Sequence, residues 1–249
     1  MIKKIKGLYL FISSLVIGLL TIPFAFAKSA SHLVHPEIKP DKSLTTESDS
    51  LQWMPAMKSL YDSLQLGISG LSQQAFDYAR KGFNLLIAEG KLMNDSILSV
   101  IDFSQPSSQK RLYILDLRNH KILFNTLVAH GKNTGREWAT QFSNEPASYK
   151  SSTGFYMTGS TYEGKNGLSL KLSGLEPGLN DRAFDRGIVI HGANYVCDAY
   201  VQSQGYIGRS EGCPAVPRQV AEPVINTIRN GSCLYIYHPS QADRSRLLH

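Results

Sequence analysis

The chain has 249 residues, of which 42% are hydrophobic and 18% charged, with 20 glycines and 11 prolines. This composition excludes a disordered tail, a collagen and a coiled coil, and it suits one globular domain with a smaller additional segment. The formal net charge is +6, but three of the lysines lie in the first six residues, so charge gives little support for a nucleic-acid partner.

The N-terminal segment has the pattern of a secretory signal. Three lysines precede an uncharged run over residues 7–27, which ends in Ala25-Phe26-Ala27. A basic start, an apolar stretch and an Ala-x-Ala end are typical of a cleaved export signal, so residues 1–27 are set apart from the fold. The run is long enough to span a bilayer if it is retained, but its small terminal residues favour cleavage. We therefore expect an exported protein that is free of the membrane after cleavage.

Residues 28–50 predict a solvated linker, because they hold five serines, two threonines and two prolines with few large apolar side chains. His32 and His35 lie in this linker without further ligands nearby, so we predict no metal site there.

Residues 51–94 predict a short pair of helices. Apolar side chains recur at helical spacing in two runs, which a glycine-rich break over residues 67–70 separates. Ser72 is the candidate N-cap of the second run. We expect this pair to pack against the main domain.

From residue 95 onward the apolar period becomes two, which predicts strands. The predicted strands cover residues 97–103, 111–117, 121–129, 154–159, 168–172, 187–191 and 232–238. One helix is predicted over residues 217–229, with Pro217 at its first position and Pro223 expected to kink or split it. The predicted fold class is therefore mainly β with helices, an α+β domain over residues 95–240, followed by a tail over residues 241–249.

The chain has three cysteines, Cys197, Cys213 and Cys233. An odd number in an exported protein leaves at least one thiol without an intramolecular partner. Cys233 lies in an apolar strand and is expected in the core. Whether it pairs with Cys197 stays open at this point.

Two residues carry the pattern of a nucleophile and its base. His191 ends an apolar strand and is followed by Gly192, while Cys213 lies in a tight Gly-Cys-Pro turn. A thiol attacks as the thiolate, so an imidazole within reach can activate it. Because Pro214 has no N–H, we expect the backbone donors for a developing oxyanion to come from Gly212 and Cys213, or from a strand opposite.

The charges around the thiol suggest two further roles. Arg209 stands four residues before Cys213 and could lower the pKa of the thiol or bind a substrate carboxylate. Glu211 would raise the pKa of the thiol unless another charge holds it away. We expect Arg209 to pair with Glu211, because the two residues flank Ser210 in one turn.

The stretch from His191 to Cys213 resembles the signature of the murein L,D-transpeptidases. In that family a histidine is followed, after a spacer, by Ser/Thr-His-Gly-Cys, and here Ser210-Glu211-Gly212-Cys213 follows His191 after 18 residues. Residues 208–216 resemble the branch of murein L,D-transpeptidase catalytic domains with Gly-Arg-Ser-x-Gly-Cys-Pro-Ala-Val. Residues 114–156 resemble the family's upstream strands and its Gly-Lys loop. The resemblance covers residues 95–240 and implies a sandwich-like or barrel-like catalytic domain with an N-terminal helical segment.

The resemblance implies acyl transfer on peptidoglycan. Cys213 would attack a diaminopimelate carbonyl of a stem peptide, release the terminal D-alanine and form a thioester, which an amine of a second stem peptide or water would resolve. His191 would act as base and then as acid, and Ser210 would orient its imidazole. The predicted catalytic set is Cys213, His191, Ser210 and Gly212, and the predicted substrate contacts are Arg209, Gly192, Asn194 and Tyr156.

The same resemblance implies no metal, no organic cofactor and no nucleic-acid partner, and it places the protein in the periplasm or cell envelope of a bacterium. Two other functions stay open. One is a non-catalytic envelope protein that binds peptidoglycan, and the other is a Cys-His peptidase of another fold, in which His238 pairs with Cys213. The sequence does not indicate the oligomeric state.

Overall fold

The structure is a computed structural model that describes residues 60–249. The predicted signal and linker lie outside the described residues. The helices are α1 (Gln73–Ala88), α2 (Asp198–Gln204), α3 (Arg218–Ile228) and α4 (Pro239–Ala242). The strands are β1 (Ile97–Asp102), β2 (Leu112–Asp116), β3 (Lys121–Thr126), β4 (Gly154–Gly164), β5 (Gly167–Gly174), β6 (Val189–Ala193), β7 (Ala215–Pro217) and β8 (Cys233–Tyr237).

The eight strands form one sheet in the order β3-β2-β1-β8-β4-β5-β6-β7. Two neighbouring pairs are parallel, β1 with β8 and β6 with β7, and the other pairs are antiparallel. The chain beyond β3 returns to the opposite edge of the sheet, where Ala129 bridges to Ala215 and Gly131 to Ser210. These bridges nearly close the sheet into a barrel. The predicted fold class, mainly β with helices and barrel-like, is therefore confirmed.

Helix α1 begins where the sequence predicts, because the Ser72 side chain accepts a hydrogen bond from the Ala75 N–H at 3.2 Å. Its apolar face packs on the sheet beside β1 and β8. Gly82 allows a close approach, since a Cβ at this position would lie 2.1 Å from the Phe155 ring. The residues after α4 join the same core, where Leu247 and Leu248 are buried.

Side chains along β8 alternate between two cores, as the period of two requires. Cys233, Tyr235 and Tyr237 pack with α1, while Leu234 and Ile236 pack in the second core with α3. The three cysteines are free, so the Cys197–Cys233 pairing that the sequence left open is not formed.

Helix α3 differs from its prediction at Pro217, and of the two outcomes predicted for Pro223 it does not show the split. Pro217 ends β7 and caps the helix instead of opening it, and the helix is continuous through Pro223 instead of splitting. Pro223 is exposed, so water can satisfy the carbonyl that its missing N–H leaves unpaired. Across residues 60–249, no helix has both the length and the apolarity that a membrane crossing requires.

Candidate active site

Two adjacent parallel strands bring His191 and Cys213 to one cleft. His191 in β6 pairs in register with Ala215 in β7, and Cys213 lies two residues before Ala215. Both side chains line a cleft of about 530 Å³. The Val189 N–H, two residues before His191, donates toward the thiol.

His191 is held in a single tautomer. The residue is buried, and its Nδ1 lies 3.0 Å from the carbonyl oxygen of Gly192. A carbonyl only accepts, so Nδ1 carries the proton and Nε2 is left as an acceptor. Burial, first among the causes, lowers the pKa of His191, so the imidazole is neutral at neutral pH.

Ser210 does not orient this imidazole, and that prediction is wrong. Its hydroxyl donates to the Cys213 carbonyl at 2.6 Å and accepts from the Gly212 N–H at 3.1 Å. Ser210 thus fixes the turn that carries the thiol, and the Gly192 carbonyl orients the imidazole instead.

Gly212 is needed in this turn for its backbone. Its φ is +125°, and a Cβ there would lie 2.9 Å from the Lys150 carbonyl oxygen. Because the Gly212 N–H already bonds Ser210, it is not a free oxyanion donor, which corrects the prediction. The Cys213 N–H has no hydrogen-bond partner among residues 60–249 and is the remaining donor of the predicted pair.

The thiol of Cys213 is protonated at neutral pH. Burial is the main cause that raises its pKa, and Glu211 raises it further, while the Val189 N–H, Arg186 and Lys165 lower it. The sulfur lies 3.7 Å from the Gly187 carbonyl oxygen, which a protonated thiol can approach as a donor. A protonated nucleophile beside a neutral imidazole needs a proton transfer before it attacks.

Comparison with protein families decides the assignment, because residues 68–237, more than half of the chain, match the model of the L,D-transpeptidase catalytic domain. The chain belongs to that family. Comparison of this L,D-transpeptidase domain with curated proteins gives no match.

Solved L,D-transpeptidases are among the similar structures. An L,D-transpeptidase of Mycobacterium smegmatis has 13% identity and a TM-score of 0.36, and the match covers 57% of this chain and 59% of that one. The L,D-transpeptidase of Stackebrandtia nassauensis has 14% identity and a TM-score of 0.35, with 74% and 76% covered. The helical cell shape determining protein Pgp2 of Campylobacter jejuni has 16% identity and a TM-score of 0.38, with 65% and 56% covered.

Glu211 in the L,D-transpeptidase domain has a different partner from the one predicted. Its carboxylate lies 3.2 Å from Lys132 Nζ, while the Arg209 guanidinium donates to the carbonyls of Lys132 and Gly135. The predicted Arg209–Glu211 pair is therefore wrong. The cations that lower the pKa of the thiol are Arg186 and Lys165.

Replacing Glu211 by glutamine is expected to lower the pKa of Cys213, because it removes a carboxylate that raises it. Below that pKa the thiolate fraction rises as the pKa falls, so alkylation of Cys213 by iodoacetamide at pH 8 should speed up about two- to threefold. Peptide mass spectrometry measures the rate at this cysteine alone. Glu222→Gln, on α3, is the matched control, and an unchanged rate in Glu211→Gln would contradict the electrostatic role.

Of the four predicted substrate contacts in the L,D-transpeptidase domain, only Arg209 lines the cleft within the described residues. Tyr156 is fully buried, and its hydroxyl bonds Ser152 in the core. Asn194 accepts from the Arg218 guanidinium at 2.7 Å. The Cα of Gly192 faces α3, where a Cβ would lie 2.9 Å from the Ala221 Cβ. The structure therefore places these three residues outside the lining of the Cys213 cleft.

The cleft also holds side chains that the sequence reasoning missed, namely Lys132, Tyr149, Tyr162, Lys165, Arg186 and Tyr195. Lys132 joins two walls of the cleft, since its Nζ lies 3.8 Å from the centre of the Tyr149 ring and also pairs with Glu211. Lys132 could have been predicted as a cleft residue, because the Gly131-Lys132 dipeptide resembles a loop of the family. The others lie far from the Cys213 turn in sequence or carry no local pattern.

Two buried side chains, Arg111 and His130, lie behind the turn that carries the thiol. Arg111 is fully buried and donates to His130 Nδ1 at 2.8 Å, and the His130 carbonyl accepts from the Ser210 N–H at 2.9 Å. Burial, with Arg111 second, lowers the pKa of His130 to about 3, so this histidine stays neutral. The pair therefore supports the turn without titrating near neutral pH.

His238 does not line the cleft. Its ring lies 4.9 Å from the Phe142 ring, and its Nδ1 accepts from the Ser240 N–H as the cap of α4. The structure therefore gives no support to the alternative in which His238 pairs with Cys213.

Proposed function

We propose that the chain is a cysteine-dependent L,D-transpeptidase that acts on peptidoglycan stem peptides through a thioester acyl-enzyme. The observation that carries this proposal is the cleft shared by the protonated Cys213 thiol and the neutral His191 imidazole, whose Nε2 is the free acceptor. Membership of the L,D-transpeptidase family supports the same reaction class and substrate.

In the first half-reaction the sulfur attacks the diaminopimelate carbonyl of a tetrapeptide stem while His191 Nε2 takes the thiol proton. The Gly192 carbonyl stabilises the imidazolium through Nδ1–H. The Cys213 N–H donates to the oxyanion, within a turn that Ser210 and Gly212 hold in place. His191 then returns the proton to the amine of D-alanine, which leaves as the thioester forms.

In the second half-reaction an amine of another stem peptide attacks the thioester, His191 takes its proton, and the sulfur leaves as the thiol. Water in place of the amine gives L,D-carboxypeptidase activity by the same steps. Four cations and one carboxylate line the cleft, which favours the carboxylates of stem peptides. No metal, organic cofactor or nucleic acid takes part in this proposal.

The proposal includes export to the periplasm or cell envelope through residues 1–27. It further includes a linker over residues 28–50, a helical segment over 51–94, a catalytic domain over 95–240 and a tail over 241–249.

The deciding experiment incubates the purified protein with a disaccharide-tetrapeptide muropeptide. We expect release of D-alanine and an intact-mass increase equal to the disaccharide-tripeptide acyl group, mapped to Cys213. Binding without an adduct or released D-alanine would overturn the proposal and favour a peptidoglycan-binding protein without activity. Addition of a second muropeptide distinguishes cross-linking from hydrolysis.

A further inference from the structure

A second cleft of about 460 Å³ is lined by a half-exposed tryptophan. Its walls are formed mainly by Arg136, Glu137, Trp138, Thr140, Gln204 and Tyr206. Trp138 is 50% exposed, and its ring takes part in none of the aromatic or cation–π contacts found within residues 60–249. Trp138 therefore presents an aromatic surface inside a cleft whose rim carries polar side chains.

The loop that carries Trp138 makes tight backbone contacts. Gly135 has a φ of +152°, and a Cβ there would lie 1.9 Å from the Trp138 carbonyl oxygen, so the turn is tight. The Glu137 carbonyl accepts from the Ser107 N–H at 2.9 Å, and Ala139, the residue after Trp138, is buried. The backbone on both sides of Trp138 is therefore anchored to the rest of the domain.

The chemistry of this cleft fits a sugar ring. The apolar C–H face of a pyranose stacks on an aromatic face, while its hydroxyl and acetamido groups need hydrogen-bonding partners around the rim. Trp138 supplies the open aromatic face. Arg136, Glu137 and Gln204 supply charged and amide groups beside it.

Arg209 connects this cleft to the active site. Its side chain lines the Cys213 cleft, donates to the Gly135 carbonyl at 3.1 Å and lies 5.9 Å from the centre of the Tyr206 ring. Gly135 and Tyr206 both line the tryptophan cleft. The clefts are therefore separated by about one arginine side chain, and three extended residues of a stem peptide span roughly 10 Å.

We propose that the Trp138 cleft binds an N-acetylated amino sugar of the glycan strand that carries the donor stem peptide. The inference rests on the proposed function, since it extends the same substrate from the Cys213 cleft across Arg209. The sugar stacks on Trp138, and the peptide runs from it to the thiol.

The test compares kcat/KM for a disaccharide-tetrapeptide with that for the free tetrapeptide. Trp138→Ala should lower kcat/KM for the disaccharide substrate about three- to tenfold, through KM, because an aromatic contact contributes to binding and not to chemistry. The free tetrapeptide should react at the same rate in both proteins, and Trp138→Phe should restore part of the loss. Tyr200→Ala, which is 42% exposed on α2 and lines neither cleft, is the matched control.

A second measurement separates this inference from the proposed function. Calorimetric titration with peptide-free glycan strands should show binding to the unmodified protein and to Tyr200→Ala, and a loss of binding in Trp138→Ala. If Trp138→Ala slows both substrates equally, or leaves glycan binding intact, the sugar site is overturned. If the protein transfers no acyl group but Trp138→Ala still loses glycan binding, the proposed function fails and the sugar site stands.

Discussion

Replacing Cys213 by alanine is expected to reduce D-alanine release from a tetrapeptide stem by about 10⁴-fold or more, because Cys213 is the thiol that lines the cleft among the described residues and the thioester forms on it. The thioester adduct should disappear with it. Measuring released D-alanine together with intact mass checks both statements.

Cys197→Ala is the matched control for this substitution. Cys197 is a second half-buried, unpaired thiol, and it lies outside the lining of the cleft. Its replacement should leave turnover and adduct unchanged, and circular dichroism should show the same thermal unfolding for both variants to within a few degrees. If turnover survives in Cys213→Ala but is lost in Cys197→Ala, the nucleophile is Cys197 and the assignment to Cys213 is wrong.

Replacing His191 by glutamine is expected to lower kcat/KM by about 10² to 10⁴-fold, since glutamine cannot take the thiol proton. The pH profile carries the more specific expectation. In the unmodified protein, burial lowers the pKa of His191 below its usual 6.5, so kcat/KM should fall only when the pH drops well below 6.5 and the imidazole becomes protonated.

In the His191→Gln variant, kcat/KM should no longer show this decrease at low pH. Its residual rate should rise as the pH increases toward the raised pKa of Cys213, above 9, because attack then depends on thiolate formed without a base. His238→Gln is the control and should leave both the rate and the profile unchanged. A loss of activity in His238→Gln with activity retained in His191→Gln would favour the peptidase alternative.

The strands were predictable from the sequence because alternation between two cores leaves a period of two, as along β8. Strand β7 was missed because it has three residues, follows Pro214 and ends at Pro217, and is too short to show a period. Helix α2 was missed because it buries no residue and so has no apolar face to recognise.

Cys213 and His191 were predictable as candidate nucleophile and base, because the Gly-Cys-Pro turn and the strand end have local sequence patterns. The side chains that pair around them were not predictable. Arg209 and Glu211 are close in sequence, but side chains two apart around Ser210 need not meet, and the carboxylate instead finds Lys132, 79 positions away. The bond from Ser210 to the Gly212 N–H was readable in principle, since serine commonly accepts from the N–H two residues on.

The bridges of Ala129 and Gly131 to the far edge of the sheet affect how the active site assembles during folding. Contacts between distant parts of a chain carry a large entropic cost and tend to form late in folding. The bridges beside the cysteine turn are among these contacts, so the turn reaches its final geometry only when they have formed. Until that edge closes the turn would lack its support, so the reactivity of Cys213 would begin only with closure.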